Sequence, residues 1–367
     1  MTIRYQEFTE CDSPSGGDSN VPRLEQRIVP FQAGDGMPLR LTQYRLAGKT
    51  PDKGPVVLVH GAGVRGHIFR PPVAVNFVTY LADLGYDVWV EEWRASIDLP
   101  PNSWTLDQAA VFDHPSAVKT VVEQTGASRV KSVIHCQGST SFLMSAMAGL
   151  LPQVDVIVSN AVSLHTVVPT LARLKINFAL PVVSLSLAYL NPQWGLHAPT
   201  LTAKLLNLYV KMVHHECSNP VCKWSSFTYG SGFPTLWRHE NLDAATHDWI
   251  TQEFAAVPMT FFKQMSRCVA RGNLVNFDLK GRLPDDFAAQ PPQTDARFSF
   301  FTGAQNACFL PEGQKRTFAQ FEAWHPGRHS LHVFPNYGHL DVFLGKQAVN
   351  DTYPLLAAEL EKKSSDL

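Results

Sequence analysis

Four short apolar runs, separated by segments of helical spacing, constrain this chain more than any other feature. They are PVVLVHG at 55–61, YDVWVEEWR at 86–94, VKSVIH at 130–135 and VDVIVSNAVSL at 154–164. A strand that is apolar on both faces is buried on both faces, as in a parallel sheet flanked by helices. Parallel neighbours need long crossovers, and the intervening segments supply them. One carries Val75, Phe77, Val78, Leu81 and Leu84 at helical spacing and stops at Gly85. Another, SWTLDQAAVFDHPSAVKTVVEQTGA, reads as a helix interrupted before Pro115. The pattern resumes with ARFSFFTGA at 296–304, a helix from about Pro311 to Trp324, the strand HSLHVFPNYGH at 329–339 and an amphipathic helix over 341–363. The expected class is α/β, with a mostly parallel central sheet and helices on both faces.

Two regions fall outside this alternation. Residues 24–47 form two alternating stretches split by GDGM, which is a hairpin signal. From 165 to 293 the segments LPVVSLSLAYL, LTAKLLNLYVKMVHH and THDWITQEFAAVPMTFFKQMSRCVA read as helices joined by aromatic-rich loops. The expected organisation is a flexible tail at 1–23, a core at 24–164, a helical cap or lid inserted at 165–293, and the rest of the core at 294–367. Phe178, Leu180, Tyr189, Trp224, Phe227, Trp237, Phe261 and Phe262 are candidates to roof a pocket. More than half of them are expected to form the cap's own core.

Charge narrows the partners. Thirty-one basic residues face thirty-two acidic ones, for a net charge of −1, and no basic run reaches five. That excludes a nucleic-acid footprint and leaves a small apolar molecule as the expected partner. The first thirty residues lack a basic start and an apolar core, so no secretory signal is read there. No apolar run reaches the ~20 residues a membrane span needs; the nearest approach, Ile176 to Pro192, is uncharged but short and is broken by Pro181. A cytoplasmic protein with no integral membrane span is expected. Six cysteines are scattered through the chain. Cys217 and Cys222, with His214 and His215 beside them, leave a metal, a local disulfide and ordinary thiols all open. C-x4-C matches no strong zinc spacing, so no metal and no cofactor are expected.

The chemistry centres on VKSVIHCQGSTS at 130–141, where an apolar strand delivers Cys136 into a polar turn and a helical segment, FLMSAMAGLL, follows. Strand, sharp turn and helix hold a nucleophile clear of a sheet; the usual spelling G-x-S-x-G here reads I-H-C-Q-G. His339, in PNYGHLD just past the last strand, reaches the same carboxyl edge of the sheet and is the candidate base. Beyond ARFSFFTGA, Asn306 stands where an aspartate would be sought, and an amide can orient an imidazole. Asp341 and Asp113 remain rivals for that third role. Backbone N–H groups of Gln137 and Ala62 are the candidate oxyanion donors, with Gly63 as the near alternative to Ala62. His135 and Gly63 are candidates for contact with substrate. Ser139, three residues past Cys136, falls inside the helix as a first-turn hydroxyl.

The segments HGAG, HCQGS and YGHLD, with the strand order, resemble the α/β-hydrolase superfamily over about 50–360. GYDVWVEEWRAS, FDHPSAV, HCQGS, TGAQNACFLPEG and NYGHLDVFLGKQA look like the bacterial hydrolases found with cholesterol-oxidase-like flavoenzymes. GYDVW is also similar to acid lipases, and a cysteine at the elbow is similar to polyhydroxyalkanoate synthases. The resemblance implies Cys136 as nucleophile and His339 as base. Ile134 and Asn306 depart from the family pattern, at the small residue before the elbow and at the triad acid. The activity implied is acyl transfer from a bulky apolar ester or thioester, as hydrolase or thioesterase, with an acyl-carrier or coenzyme A thioester as a candidate donor. Acyltransferase or cyclase chemistry, and a catalytically weak binder of apolar ligands, are the alternatives.

Overall fold

The computed structural model describes residues 7–11, 23–215 and 217–362. Nine strands form one sheet: β1 (Thr9–Glu10), β2 (Leu24–Gln32), β3 (Pro38–Leu46), β4 (Pro55–Val59), β5 (Asp87–Glu92), β6 (Val130–His135), β7 (Val154–Asn160), β10 (Arg297–Gly303) and β11 (Ser330–Phe334). A separate antiparallel pair, β8 (Tyr189–Leu190) and β9 (Val257–Pro258), lies between β7 and β10 in the chain. The order across the main sheet is β1-β2-β3-β5-β4-β6-β7-β10-β11. Every pairing from β5 to β11 is parallel. The hairpin β2–β3 is antiparallel, and β3 joins β5 antiparallel at the edge of the parallel block.

The four apolar runs explain this arrangement. Val56, Val57, Leu58 and Val59 of β4, like Val133 and Ile134 of β6, are wholly buried because helices cover both faces of the sheet. Thr9–Glu10, within the stretch read as a tail, pairs with Glu25 and Gln26 of β2. Residues 1–6 and 12–22 of that stretch lie outside the described residues.

Three helix expectations change. The helix around Pro115 is not interrupted: Leu106–Gln108 runs through a π-helical turn at Ala109–Asp113 into helix His114–Thr125. Proline lacks the N–H an α-helix would use, and the wider turn upstream absorbs the mismatch. The last helix is three pieces, Asp341–Leu344, Ala348–Asp351 and Tyr353–Glu361, broken after Leu344 at Gly345 and again at Thr352, just before Pro354. LPVVSLSLAYL is helical only over Leu180–Val183 and ends as β8.

The π-helical turn has an electrostatic anchor. Asp113, fully buried, accepts from the Arg94 backbone N–H at 3.0 Å and from its guanidinium at 2.6 Å. Arg94 is also buried and reaches Asp35 at 3.0 Å. Removing one partner of such a pair leaves an uncompensated charge in the interior. Asp113→Ala is therefore expected to destabilise the fold by about 3–5 kcal/mol in chemical denaturation; an unchanged unfolding midpoint would contradict this account of the turn.

Candidate active site

β6 ends at His135, and helix Cys136–Met147 begins at the next residue with no loop between them. The chain makes that corner by placing Cys136 at φ 56°, in the left-handed region that non-glycine residues rarely occupy. Backbone strain of this kind, held by its surroundings, gathers at functional sites. Ile134, fully buried in β6, does not prevent it. Two glycines do the accommodating. A Cβ on Gly138 would lie 2.1 Å from the His60 carbonyl oxygen, and one on Gly61 would lie 3.0 Å from the Cys136 Cβ. The loop after β4 thus passes directly over the elbow.

That loop is itself pinned. His60 Nε2 lies 3.2 Å from Glu92 Oε2. Glu92 also accepts from Gly66 N–H and Ser96 Oγ. Burial works against its charge, but the donors from His60, Ser96 and Gly66 outweigh it and hold the carboxyl at about 2. Gly63 has φ 68°, and a Cβ there would meet the Tyr229 hydroxyl at 2.2 Å. Its N–H is taken by the Ala95 carbonyl at 3.3 Å, whereas Ala62 donates no hydrogen bond among the described residues. Of the two candidates, Ala62 is the one with a free donor. The Gln137 N–H lies in the first turn, where no intrahelical acceptor exists.

His339 follows β11 in the loop before Asp341–Leu344 and is buried beside the elbow. Side-chain ligand atoms of His135, Cys136 and His339 all lie within 4.8 Å of one another. Backbone bonds seat the loop: His339 and Leu340 N–H donate to Leu236 O at 3.1 and 2.7 Å, and Asn160 Nδ2 donates to His339 O at 3.1 Å. Among the described residues no carboxylate or amide bonds either ring nitrogen of His339, and the polar side chains beside it are Cys136 and His135. The ring is oriented by packing instead, 4.8 Å from the His135 ring and 6.2 Å from that of Phe309.

The third position departs from expectation. Asn306 is buried, but its Oδ1 accepts from Cys308 and Phe309 N–H at 3.0 and 3.1 Å, and its Nδ2 donates to Thr302 Oγ1 at 3.2 Å. An amide engaged at both ends makes a turn, and no bond joins it to His339. Asp341 accepts from Gly338 N–H at 2.8 Å and Asn241 Nδ2 at 2.6 Å, so it braces the histidine loop rather than the ring. Asp113 serves Arg94. Ser139 Oγ bonds Ser159 Oγ at 2.6 Å, away from the elbow.

Two residues beside Cys136 had no signal in the sequence. Cys308 donates from Sγ to Tyr229 O at 3.2 Å, and its thiol also faces Cys136. Tyr229, buried, donates its hydroxyl to Ala62 O at 2.9 Å. Burial disfavours a Cys136 thiolate, but the Cys308 thiol, His339 and the Gln137 N–H outweigh it and hold the pKa well below that of a free thiol. The Cys136 charge and burial together push Cys308 well above, so Cys308 remains a thiol donor.

Cys136 stands where two cavities meet. One, apolar and partly open to solvent, is lined by Ile176, Leu180, Leu206, Phe227, Phe261, Phe262 and Met265, with Cys136, Gln137, Lys175 and Cys308 also in its wall. The other, of about 250 Å³, is lined by Gly61, Ala62, His135, Tyr229 and His339. Gly63 lines neither. Of the eight cap residues expected at a pocket, Leu180, Phe227, Phe261 and Phe262 line it, Trp224 and Trp237 are buried elsewhere, Tyr189 lies in β8 outside the lining, and Phe178 faces outward.

The sequence matches no family model. Lipase member K of Homo sapiens is 24% identical over 341 residues, covering 86% of this chain and 81% of that one. Gastric triacylglycerol lipase of Homo sapiens is 29% identical over 106 residues, 26% of this chain and 27% of that one. Among solved structures, a lipase in its open form superposes with a TM-score of 0.58 at 15% identity, over 92% of this chain and 98% of that one. A thermophilic esterase from Thermogutta terrifontis gives 0.52 at 13% identity, over 91% and 99%. The chain has the α/β-hydrolase fold.

A buried Ser–His–acid set lies nearby and has a different part. His114 bridges Glu91 at 2.9 Å and Ser141 Oγ at 2.7 Å. All three are sealed from solvent, so the set ties the elbow helix to β5.

The depressed Cys136 pKa sets the sign of a pH effect. Thiolate persists at pH values where a free cysteine, with pKa near ~8.5, is protonated. Alkylation of Cys136, followed by peptide mass spectrometry to separate it from Cys217, is expected to rise at lower pH than free cysteine, and His339→Gln to move the midpoint up. A profile matching free cysteine in both proteins would contradict the site electrostatics.

Proposed function

We propose that this hydrolase cleaves esters or thioesters of a bulky apolar acyl group through an acyl-enzyme on Cys136. The observation that carries the reading is the strained Cys136 between two unequal cavities, one apolar and large enough for an acyl chain, the other holding His339. The finer resemblance to cysteine-bearing hydrolases, carried by HCQGS and NYGHLDVFLGKQA, supports the same assignment.

The chemistry follows from the positions. The Cys136 thiolate attacks the carbonyl carbon, and the new oxyanion is held by the Gln137 and Ala62 N–H groups. Such donors are each worth about 3–4 kcal/mol of barrier. As the C–O or C–S bond breaks, His339 gives its proton to the leaving group. Water then enters, His339 takes its proton, and the acid departs with the thiolate restored. No carboxylate contacts the His339 ring, which makes the working pair a dyad. A thiolate tolerates this better than serine because it forms readily beside an imidazolium.

Residues 170–183 support an apolar substrate from both sides. Ala172, Ile176, Ala179, Leu180 and Val183 line the cavity, whereas Leu171, Phe178 and Val182 are exposed. A segment that carries apolar side chains both toward the cavity and outward, with Arg173, Lys175 and Asn177 interspersed, suits a lid over an acyl site. Among the described residues no helix is long and apolar enough to cross a membrane.

The apolar walls of the large cavity favour a second reading, in which an alcohol or amine resolves the acyl-enzyme, making the protein an acyltransferase or cyclase. The experiment is steady-state hydrolysis across 4-nitrophenyl esters and acyl-coenzyme A thioesters of increasing chain length, with and without added alcohol. Rates are expected to rise with chain length and to fall at least ~10³-fold in Cys136→Ala. Ester product exceeding acid would favour transfer. Tight ligand binding with wild-type turnover no faster than Cys136→Ala would make the protein a binder.

A further inference from the structure

We propose that Cys217, Cys222, His239 and His247 form a structural zinc site that ties the cavity-wall helix Pro220–Tyr229 to the segment on which the His339 loop is seated. The four ligand atoms lie within 4.8 Å of one another. Cys217 Sγ is 3.4 Å from His247 Nε2, and Cys222 Sγ is 3.4 Å from His239 Nε2. Around tetrahedral zinc, with Zn–S about 2.3 Å and Zn–N about 2.0–2.1 Å, a sulfur–nitrogen edge spans ~3.6 Å. The pocket between these atoms is thus already near the size of the ion. Two thiolates and two neutral imidazoles would cancel its charge, and four protein ligands leave no open position, as in structural rather than catalytic sites.

The surroundings are built for ligation. Both cysteines are free of any disulfide. Asn219 N–H donates to Cys217 Sγ at 3.3 Å, an outer contact of the kind that steadies a metal-bound thiolate. The Asn219 side chain accepts from Val221 and Cys222 N–H and donates to the His247 carbonyl at 2.8 Å, joining three of the four ligands through one residue. His214 and His215, adjacent in sequence, are not part of the cluster. The ligands come from four places: the turn before helix Pro220–Tyr229, its first turn, the short turn His239–Asn241 and helix Ala244–Trp249.

The position gives the site a purpose. Helix Pro220–Tyr229 carries Phe227 and Tyr229 in the cavity wall. His239 lies three residues after Leu236, whose carbonyl seats both His339 and Leu340, and Arg238 N–H donates to Asp341. A metal here would tie helix Pro220–Tyr229 to the chain at His239, and the hydrogen bonds to Leu236 and from Arg238 carry that support to the His339 loop.

The test uses the full chain, purified without metal-affinity resin or chelator. Elemental analysis is expected to give about one zinc per chain. It should fall to background in Cys217→Ser and His247→Ala but stay complete in Cys136→Ala. Should the ligand variants fail to fold, cobalt(II) exchanged into the wild-type protein gives an independent reading. Tetrahedral d–d bands with a sulfur-to-cobalt charge-transfer band are expected. Protein that is metal-free as isolated and gives no such cobalt spectrum would overturn the proposal. So would full zinc in Cys217→Ser, or a Cys217–Cys222 disulfide recovered by alkylation before reduction.

Discussion

The structure depends on one unfavourable backbone conformation, the left-handed Cys136 at the join of β6 and its helix. A β-strand running straight into a helix needs a corner, and a non-glycine residue at φ 56° costs free energy that the fold must offset. The offset is visible in the neighbours. Gly61 and Gly138 let the loop after β4 lie against the elbow, and the buried Glu91–His114–Ser141 set fixes the helix. The result holds the thiol at the carboxyl edge of the sheet, beside first-turn N–H groups and under a loop with a free Ala62 donor.

The electrostatics of the site follow from burial and neighbours rather than from a carboxylate. Cys308, His339 and Gln137 overcome the desolvation of the Cys136 thiolate. Asn306 and Asp341, which occupy or adjoin the usual place of an acid, are spent on turns and on bracing the histidine loop. A serine in the same place would lack an activated base. A cysteine brings its own acidity, which makes the proposed pairing of Cys136 with His339, without an acid, chemically coherent.

Much of this was legible in the sequence. The bare apolar runs gave the parallel block because both-face burial has a distinct signature, and the order of elements placed Cys136 and His339 at one edge. The hairpin at 24–47 and the helix at Pro311–Trp324 were equally readable. Other features were not. The π-helical turn at Ala109–Asp113, upstream of Pro115, is anchored by a tertiary ion pair with Arg94, which no local pattern reports. Asn306's true partners depend on the turn it makes. Cys308, Tyr229 and the His239–His247 half of the thiol–imidazole cluster lie far in sequence from their partners, so spacing rules pointed to His214 and His215 instead. Lid residues are hard for a related reason: a helix apolar on two faces does not reveal which one meets the cavity.

The central claim is that Cys136 carries the acyl group. Rapid-quench peptide mass spectrometry after mixing with a long-chain acyl thioester tests it most directly. The expected result is an acyl mass on the peptide containing Cys136 that appears and decays at rates compatible with turnover. An acyl mass on Ser139 or Cys308, or turnover with no adduct on Cys136 in a variant slowed at His339, would contradict it.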